Sequence, residues 1–221
     1  MIEFQADSQT TQGYLAVPAR GSGPGVLVLH AWWGLNAFFK QLCDRLAAEG
    51  FVAFAPDLYN GKTAATIDEA KQLLKVRDLA QMEAKALAAV EVLRRRPAVT
   101  GAGLGAIGFS MGAAWAGQLS SLRPDDFAAV VLFYGIAEAD FAAARAAYLG
   151  HFAEHDEWEP LEGVRQLEAD LHAAGRDVTF HLYPEAGHWF FEDDRPDAYD
   201  AGAARLAWER TLTFLRERLG Q

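Results

Sequence analysis

One cysteine in 221 residues allows no internal disulfide, so nothing here is a stapled secreted scaffold and a reducing compartment is expected. That residue, Cys43, recurs with Phe39, Leu42 and Leu46 at helical spacing, which makes it a packing residue. No apolar run approaches the roughly 18 residues of a membrane span. Residues 1–20 also lack a basic start followed by an unbroken apolar stretch. The expected location is therefore cytoplasmic, with no membrane partner. Basic residues are scarce: 20 Lys and Arg stand against 30 Asp and Glu, a net charge of −10. This excludes nucleic acid as a partner, because phosphate binding needs clustered cations. The single basic cluster, "RRRP" at 94–97, suits a helix C-terminus. No His, Cys and carboxylate grouping has metal-ligand spacing, so no metal is implied. The G-K-[ST] ending of a phosphate-cradling loop is missing too. Neither internal repeats nor a low-complexity linker divides the chain, and one soluble domain over 1–221 is expected.

What is present is a repeated alternation of short apolar runs with amphipathic stretches. "GYLAVP" (13–18) reads as one strand of a hairpin. The unbroken Val and Leu of 26–29 then suit a strand buried on both faces. Further strands are predicted at 51–56, 103–110, 127–135, 146–156 and 178–184. Helices are predicted at 37–49, 66–96 (one long helix, or two with a bend), 111–121, 160–174 and 197–218, with a short Ala-rich helix in 137–147. Such alternation implies an α/β fold with a mostly parallel sheet covered on both faces.

In such a sheet the ligand crevice lies at the carboxyl ends of the strands. "AIGFSMGAAW" (106–115) puts Ser110 there, between Gly108 and Gly112, after an apolar strand and before a small-residue helix. That is the context a nucleophile elbow requires. A serine hydroxyl needs a base, itself oriented by a carboxylate, and the expected chain order is Ser, Asp or Glu, then His. His188, in "YPEAGHWFF" after the last strand, is the predicted base; His30 precedes the serine, while His151, His155, His172 and His181 are placed for structural or solvated roles. Asp156, ending its strand in "HD", is the predicted carboxylate, with Glu154 and Glu157 as rivals. Two backbone donors are needed for the oxyanion. These are the N–H of Met111 and one from "HAWWG", Trp32 before Trp33.

Together the blocks "GVLVLHAWWGLN", "FVAFAPDLYNG", "AIGFSMGAAW", "FYG", "HDEWEP" and "PEAGHWFFE" resemble the dienelactone hydrolase family over residues 24–215. The resemblance implies an α/β-hydrolase fold of about eight strands and hydrolysis of small esters or lactones without a cofactor. It also implies a second oxyanion donor at Trp32, and an aromatic pocket of Trp33, Tyr134, Trp158 and Trp189. Departures accompany it. The well-known members carry a cysteine in the elbow where this chain has Ser110, and a thiol-activating glutamate where it has Ala31. Their substrate-binding arginines fall at Glu192 and near Ala70, where only Lys71 is cationic. With Glu192, Asp193 and Asp194 beside the histidine, an anionic substrate is expected to be repelled unless Lys71 or Arg77 compensates. The tryptophans favour an apolar acyl or aromatic group. Thioester hydrolysis or perhydrolysis on the same residues, and a non-catalytic ligand-binding role, are the alternatives. A monomer or small homo-oligomer is expected.

Overall fold

The computed structural model describes residues 1–220. Eight strands form one sheet: β1 (Ile2–Ala6), β2 (Gln9–Ala16), β3 (Gly23–Leu29), β4 (Val52–Pro56), β5 (Val99–Phe109), β6 (Phe127–Phe133), β7 (Ala147–His155) and β8 (Val178–Gly187). Six helices alternate with them: α1 (Ala37–Ala48), α2 (Ile67–Lys75), α3 (Leu79–Arg94), α4 (Met111–Leu122), α5 (Leu161–Ala173) and α6 (Ala201–Leu219). The strand order is β1-β2-β4-β3-β5-β6-β7-β8. The β1-β2 hairpin and the β2-β4 pair are antiparallel, and every pair from β4 through β3 to β8 is parallel.

Strand β3 shows why the sheet needs two covers. Val26, Leu27, Val28 and Leu29 are all fully buried, and alternation sends Val26 and Val28 to one face and Leu27 and Leu29 to the other. The first face packs on Phe38, Phe39 and Leu42 of α1 and on Ala207 and Leu215 of α6. The second packs on Met82 and Val90 of α3, Leu119 of α4 and Leu167 of α5. Cys43 is buried in the first cluster, where desolvation pushes its thiol well up from the usual range. No helix among the described residues is long and apolar enough to cross a membrane.

The segment 66–96 takes the second of its two expected forms, two helices with a break at 76–78, while other elements depart from the predicted ones. Thr66 and Glu69 close a capping box at the start of α2, and Asp78 restarts the chain by accepting from the Gln81 N–H at 3.1 Å. The Ala-rich stretch 137–147 forms no helix. Asp140 accepts from the Ala142 N–H at 3.2 Å in a local turn, while Phe141, Ala144 and Ala146 dock in the core; high helix propensity yields to burial of an irregular segment. The last helix begins at Ala201, because the Asp200 carboxylate accepts from the Gly202 and Ala203 N–H groups at 2.8 and 2.9 Å. The "PEAG" segment of the histidine loop extends β8 to Gly187, pairing it with His155.

Candidate active site

Ser110 sits between the end of β5 and the first residue of α4 with φ 51° and ψ −115°. A non-glycine residue at positive φ carries steric strain of order 1–3 kcal/mol. Close packing of the turn holds it there. A Cβ on Gly108 would collide with the backbone of Gly112, and one on Gly112 with the carbonyl of Leu29. The Ser110 N–H donates to the Phe133 carbonyl at 2.9 Å, which ties the turn to the end of β6. The fold therefore turns the Gly-x-Ser-x-Gly pattern into a strained corner that presents the hydroxyl.

Three side chains meet at this corner. His188 Nε2 lies 3.0 Å from Ser110 Oγ, and His188 Nδ1 lies 2.7 Å from Asp156 Oδ2. The His188 and Asp156 side chains are almost fully shielded from water. A carboxylate only accepts, so Nδ1 carries the proton and Nε2 is left as the acceptor facing the serine. The other oxygen, Asp156 Oδ1, accepts from the backbone N–H groups of Trp158 and Glu159 at 2.8 and 2.9 Å. Those bonds fix the carboxylate plane. Neither Glu154 nor Glu157 makes a hydrogen bond or ion pair with His188 among the described residues. Glu159, beside the same carboxylate, is pushed up to about 7 by burial and by the charge of Asp156.

The remaining histidines lie elsewhere. His30 is fully buried at the end of β3, donating from Nδ1 to the Ala31 carbonyl and accepting at Nε2 from the Leu58 N–H; burial lowers its basicity. His151 is held between the Tyr183 and Thr211 hydroxyls. His155 stands on the surface, where its ring, Glu154 and Glu185 place ligand atoms within 4.8 Å of one another. The sequence spacing did not reveal that exposed grouping, because β7 and β8 bring it together.

The backbone N–H of Met111 is the first of α4 and has no intrahelical acceptor. Among the described residues, neither it nor the Trp32 N–H donates to another backbone group. Around them three indoles form a box. The Trp32 ring lies 5.0 Å from Trp158 and 5.9 Å from Trp189, and Trp158 lies 5.6 Å from Trp189. Trp158 is 41% exposed and forms the outer wall, with the Lys71 ammonium 5.7 Å above its ring. Trp33 lies 5.3 Å from Trp32 and 5.2 Å from Trp189, and Tyr134 lies 5.0 Å from His188, both more deeply buried at 1% and 0% exposed. Trp33 is sealed by the Arg195 guanidinium, 3.6 Å above its ring, which also donates to the Ala65 carbonyl. One cavity borders the box and a second lies beside Met111. The first, of about 390 Å³, is lined by His188, Trp158, Trp189 and Glu157. The other, of about 470 Å³, is more apolar and is lined by Met111, Ala114, Trp115, Leu74 and Arg77.

Glu192 corrects the expected charge balance. Its side chain is fully buried and turned inward, where Oε1 accepts from the Tyr134 hydroxyl at 2.8 Å. Desolvation pushes the pKa of its carboxyl up to about 8, so the group is largely neutral near neutral pH. Asp193 and Asp194 stay exposed after it, and Glu157, Glu185 and Asp197 are exposed on the cavity beside His188. Asp194 also accepts from the Asn36 amide at 3.0 Å.

Comparison with known proteins places the chain among relatives of the same length. Residues 11–219 match the sequence model of the dienelactone hydrolase family. "Protein usf" of Aquifex pyrophilus is 34% identical over 99% of this chain and 98% of its own. The carboxymethylenebutenolidase of Pseudomonas putida is 28% identical over 95% and 92%. Among solved structures, a dienelactone hydrolase-like promiscuous phosphotriesterase, P91, from metagenomic libraries superposes with a TM-score of 0.87. It covers 99% of this chain and 97% of its own at 24% identity, a likeness of fold. The eight-stranded, mostly parallel sheet with helices on both faces is the α/β-hydrolase fold, and the chain belongs to the dienelactone hydrolase family.

Proposed function

We propose that this chain is a serine hydrolase that opens small carboxylic esters or lactones through an acyl-enzyme intermediate. Membership of the family makes it a carboxylic ester hydrolase. The observation that carries the serine mechanism is the continuous contact from Ser110 Oγ through His188 to Asp156, at 3.0 and 2.7 Å. In this reading Ser110 Oγ attacks the carbonyl carbon while His188 Nε2 takes its proton, and Asp156 stabilises the imidazolium that forms. The carbonyl oxygen becomes an oxyanion held by the Met111 and Trp32 N–H groups, with the positive end of α4 aimed at it. Collapse breaks the carbon–oxygen bond, and His188 returns the proton to the departing alkoxide. In a lactone that group stays attached as a hydroxyl. Water, deprotonated by the same nitrogen, then releases the acid and frees the serine.

The substrate reading rests on the walls. Trp32, Trp158 and Trp189 offer apolar and aromatic contact, and the exposed Asp193 and Asp194 disfavour a second carboxylate. An uncharged ester or lactone of modest size is the substrate class, acted on in the cytoplasm. The test pairs an activated aryl ester with a serine-directed phosphonate. Wild type turns over the ester and is labelled at Ser110, and Ser110→Ala does neither. Full turnover by Ser110→Ala would overturn the mechanism.

A further inference from the structure

We propose that Glu192 and Tyr134 form a buried positioning pair that sets the distance between the serine corner and the histidine loop. The inference rests on the reading of Ser110 and His188 given above. Tyr134 follows directly on β6, and the residue before it, Phe133, accepts the Ser110 N–H at 2.9 Å. A Cβ on the next residue, Gly135, would collide with the Ser110 carbonyl. On this side Tyr134 is a backbone neighbour of the serine. Its ring, in contrast, lies 5.0 Å from that of His188. Its hydroxyl crosses to Glu192, four residues beyond His188, at 2.8 Å.

Both ends of this contact are built tightly. Tyr134 has φ 35° and Trp189 has φ 66°, so the residue carrying the hydroxyl and the residue after His188 both sit in the left-handed region. Such conformations persist only where surrounding contacts hold them. The Tyr134 N–H donates to the His151 carbonyl at 2.8 Å, and the Glu192 N–H donates to the Trp189 carbonyl at 2.9 Å. Glu192 thereby braces the turn that begins at Trp189. Both side chains are fully buried, which suits positioning rather than contact with substrate. The charged groups facing the pair are Asp194 and Arg195 from the histidine loop and Asp156 from the end of β7, with the Trp33 indole from the β3 loop. Burial keeps the Glu192 carboxyl largely neutral, so the link is a hydrogen bond without the cost of a buried charge. Nothing else on the histidine loop reaches the Tyr134 hydroxyl among the described residues.

A positioning role makes a distinct kinetic signature. Glu192→Gln keeps an acceptor for the Tyr134 hydroxyl, whereas Tyr134→Phe and Glu192→Met each delete the link. Each deletion variant should lower kcat on an activated aryl ester by about ten-fold or more while leaving KM within about two-fold. Glu192→Gln should stay within a few-fold of wild type. The double variant Tyr134→Phe with Glu192→Met should be no slower than the worse single variant, as required when two residues act through one contact. Circular dichroism and melting confirm that each variant is folded. If Glu192→Met does not fold, the comparison of Tyr134→Phe with wild type, alone and in the Glu192→Gln background, carries the same test. Full activity of Tyr134→Phe, an effect confined to KM, or losses that add in the double variant would overturn the pair. None of those results touches the Ser110→Ala outcome, so failure here is distinguishable from failure of the serine mechanism.

Discussion

Asp156 receives the His188 imidazole at 2.7 Å on one oxygen and two backbone N–H groups on the other. The carboxylate is thus held by its own loop before it orients the base. Asp156→Asn preserves the shape but offers an amide that donates or accepts according to its flip, so the imidazole loses the partner that keeps its proton on Nδ1. In a serine protease the equivalent change costs about 10⁴-fold in kcat. A loss of about 10³-fold or more is expected here, with the melting temperature changed by only a few degrees. A loss below ten-fold on the aryl ester would remove Asp156 from the mechanism.

The two glycines of the serine corner make a stability prediction. The Cβ of alanine at Gly112 has no room against the Leu29 carbonyl, and at Gly108 none against the Gly112 backbone. Neither obstacle is the end of a flexible side chain, so relief requires backbone movement. Gly112→Ala and Gly108→Ala should each destabilise by about 2 kcal/mol or more. Urea unfolding monitored by tryptophan fluorescence reads this directly. Wild-type midpoints would show that the corner is looser than its packing implies.

The order Ser, Asp, His and its placement at strand ends were legible in the sequence, because a buried parallel sheet writes continuous apolar runs and leaves its chemistry at their ends. Alternation along the strand does not separate Asp156 from Glu154 and Glu157, and only its place at the strand end favours it. That choice depends on which carboxylate the 156–159 turn folds back onto, a matter of two backbone hydrogen bonds. Glu192 was misjudged for a related reason. It adjoins Asp193 and Asp194 in the chain and reads as part of an acidic rim, yet the turn after Trp189 points it inward to Tyr134, 58 residues away. Trp33 and Tyr134, which carry the composition of a pocket, lie beside Trp189 and His188 and are deeply buried.

Buried acidity gives Glu192 a thermodynamic signature separate from its kinetic one. Its folded-state pKa of about 8 lies above the ordinary 4.5. Between those values the unfolded chain has released the proton that the folded chain retains. Unfolding is favoured as pH rises through this window, and stability contributed by the neutral carboxyl is lost. Glu192→Gln removes the titration. The melting temperature of the variant minus that of wild type should therefore climb between pH 5 and pH 8 and level off above. A difference independent of pH would mean that Glu192 is ionised in the folded protein throughout.

Trp158 forms the exposed wall of the indole box and its backbone N–H also steadies Asp156. Trp158→Ala removes the ring and keeps that N–H, so contact with substrate is lost while the carboxylate stays in place. KM for an aryl ester should rise by about five- to twenty-fold with kcat changed much less, the signature of lost ground-state binding. An equal fall in kcat would instead assign the ring to the reacting geometry.

Charge at the rim should select among substrates. Asp193 and Asp194 are exposed on the histidine loop, where Arg195 lies 3.9 Å from Asp194, while Lys71 stands above Trp158 and Arg77 lines the apolar cavity. Of two esters equal in size, one neutral and one bearing a carboxylate, the neutral one should have the higher kcat/KM. The ratio should shrink as salt is raised, since exposed charges are screened over about 10 Å at 0.1 M. It should shrink further in the double variant Asp193→Asn with Asp194→Asn. Raising pH through about 8 should widen it, because ionised Glu192 then adds a further negative charge behind the base. Preference for the carboxylated ester at low salt would show that Lys71 and Arg77 dominate the field, and the substrate class would have to be redrawn around an anion.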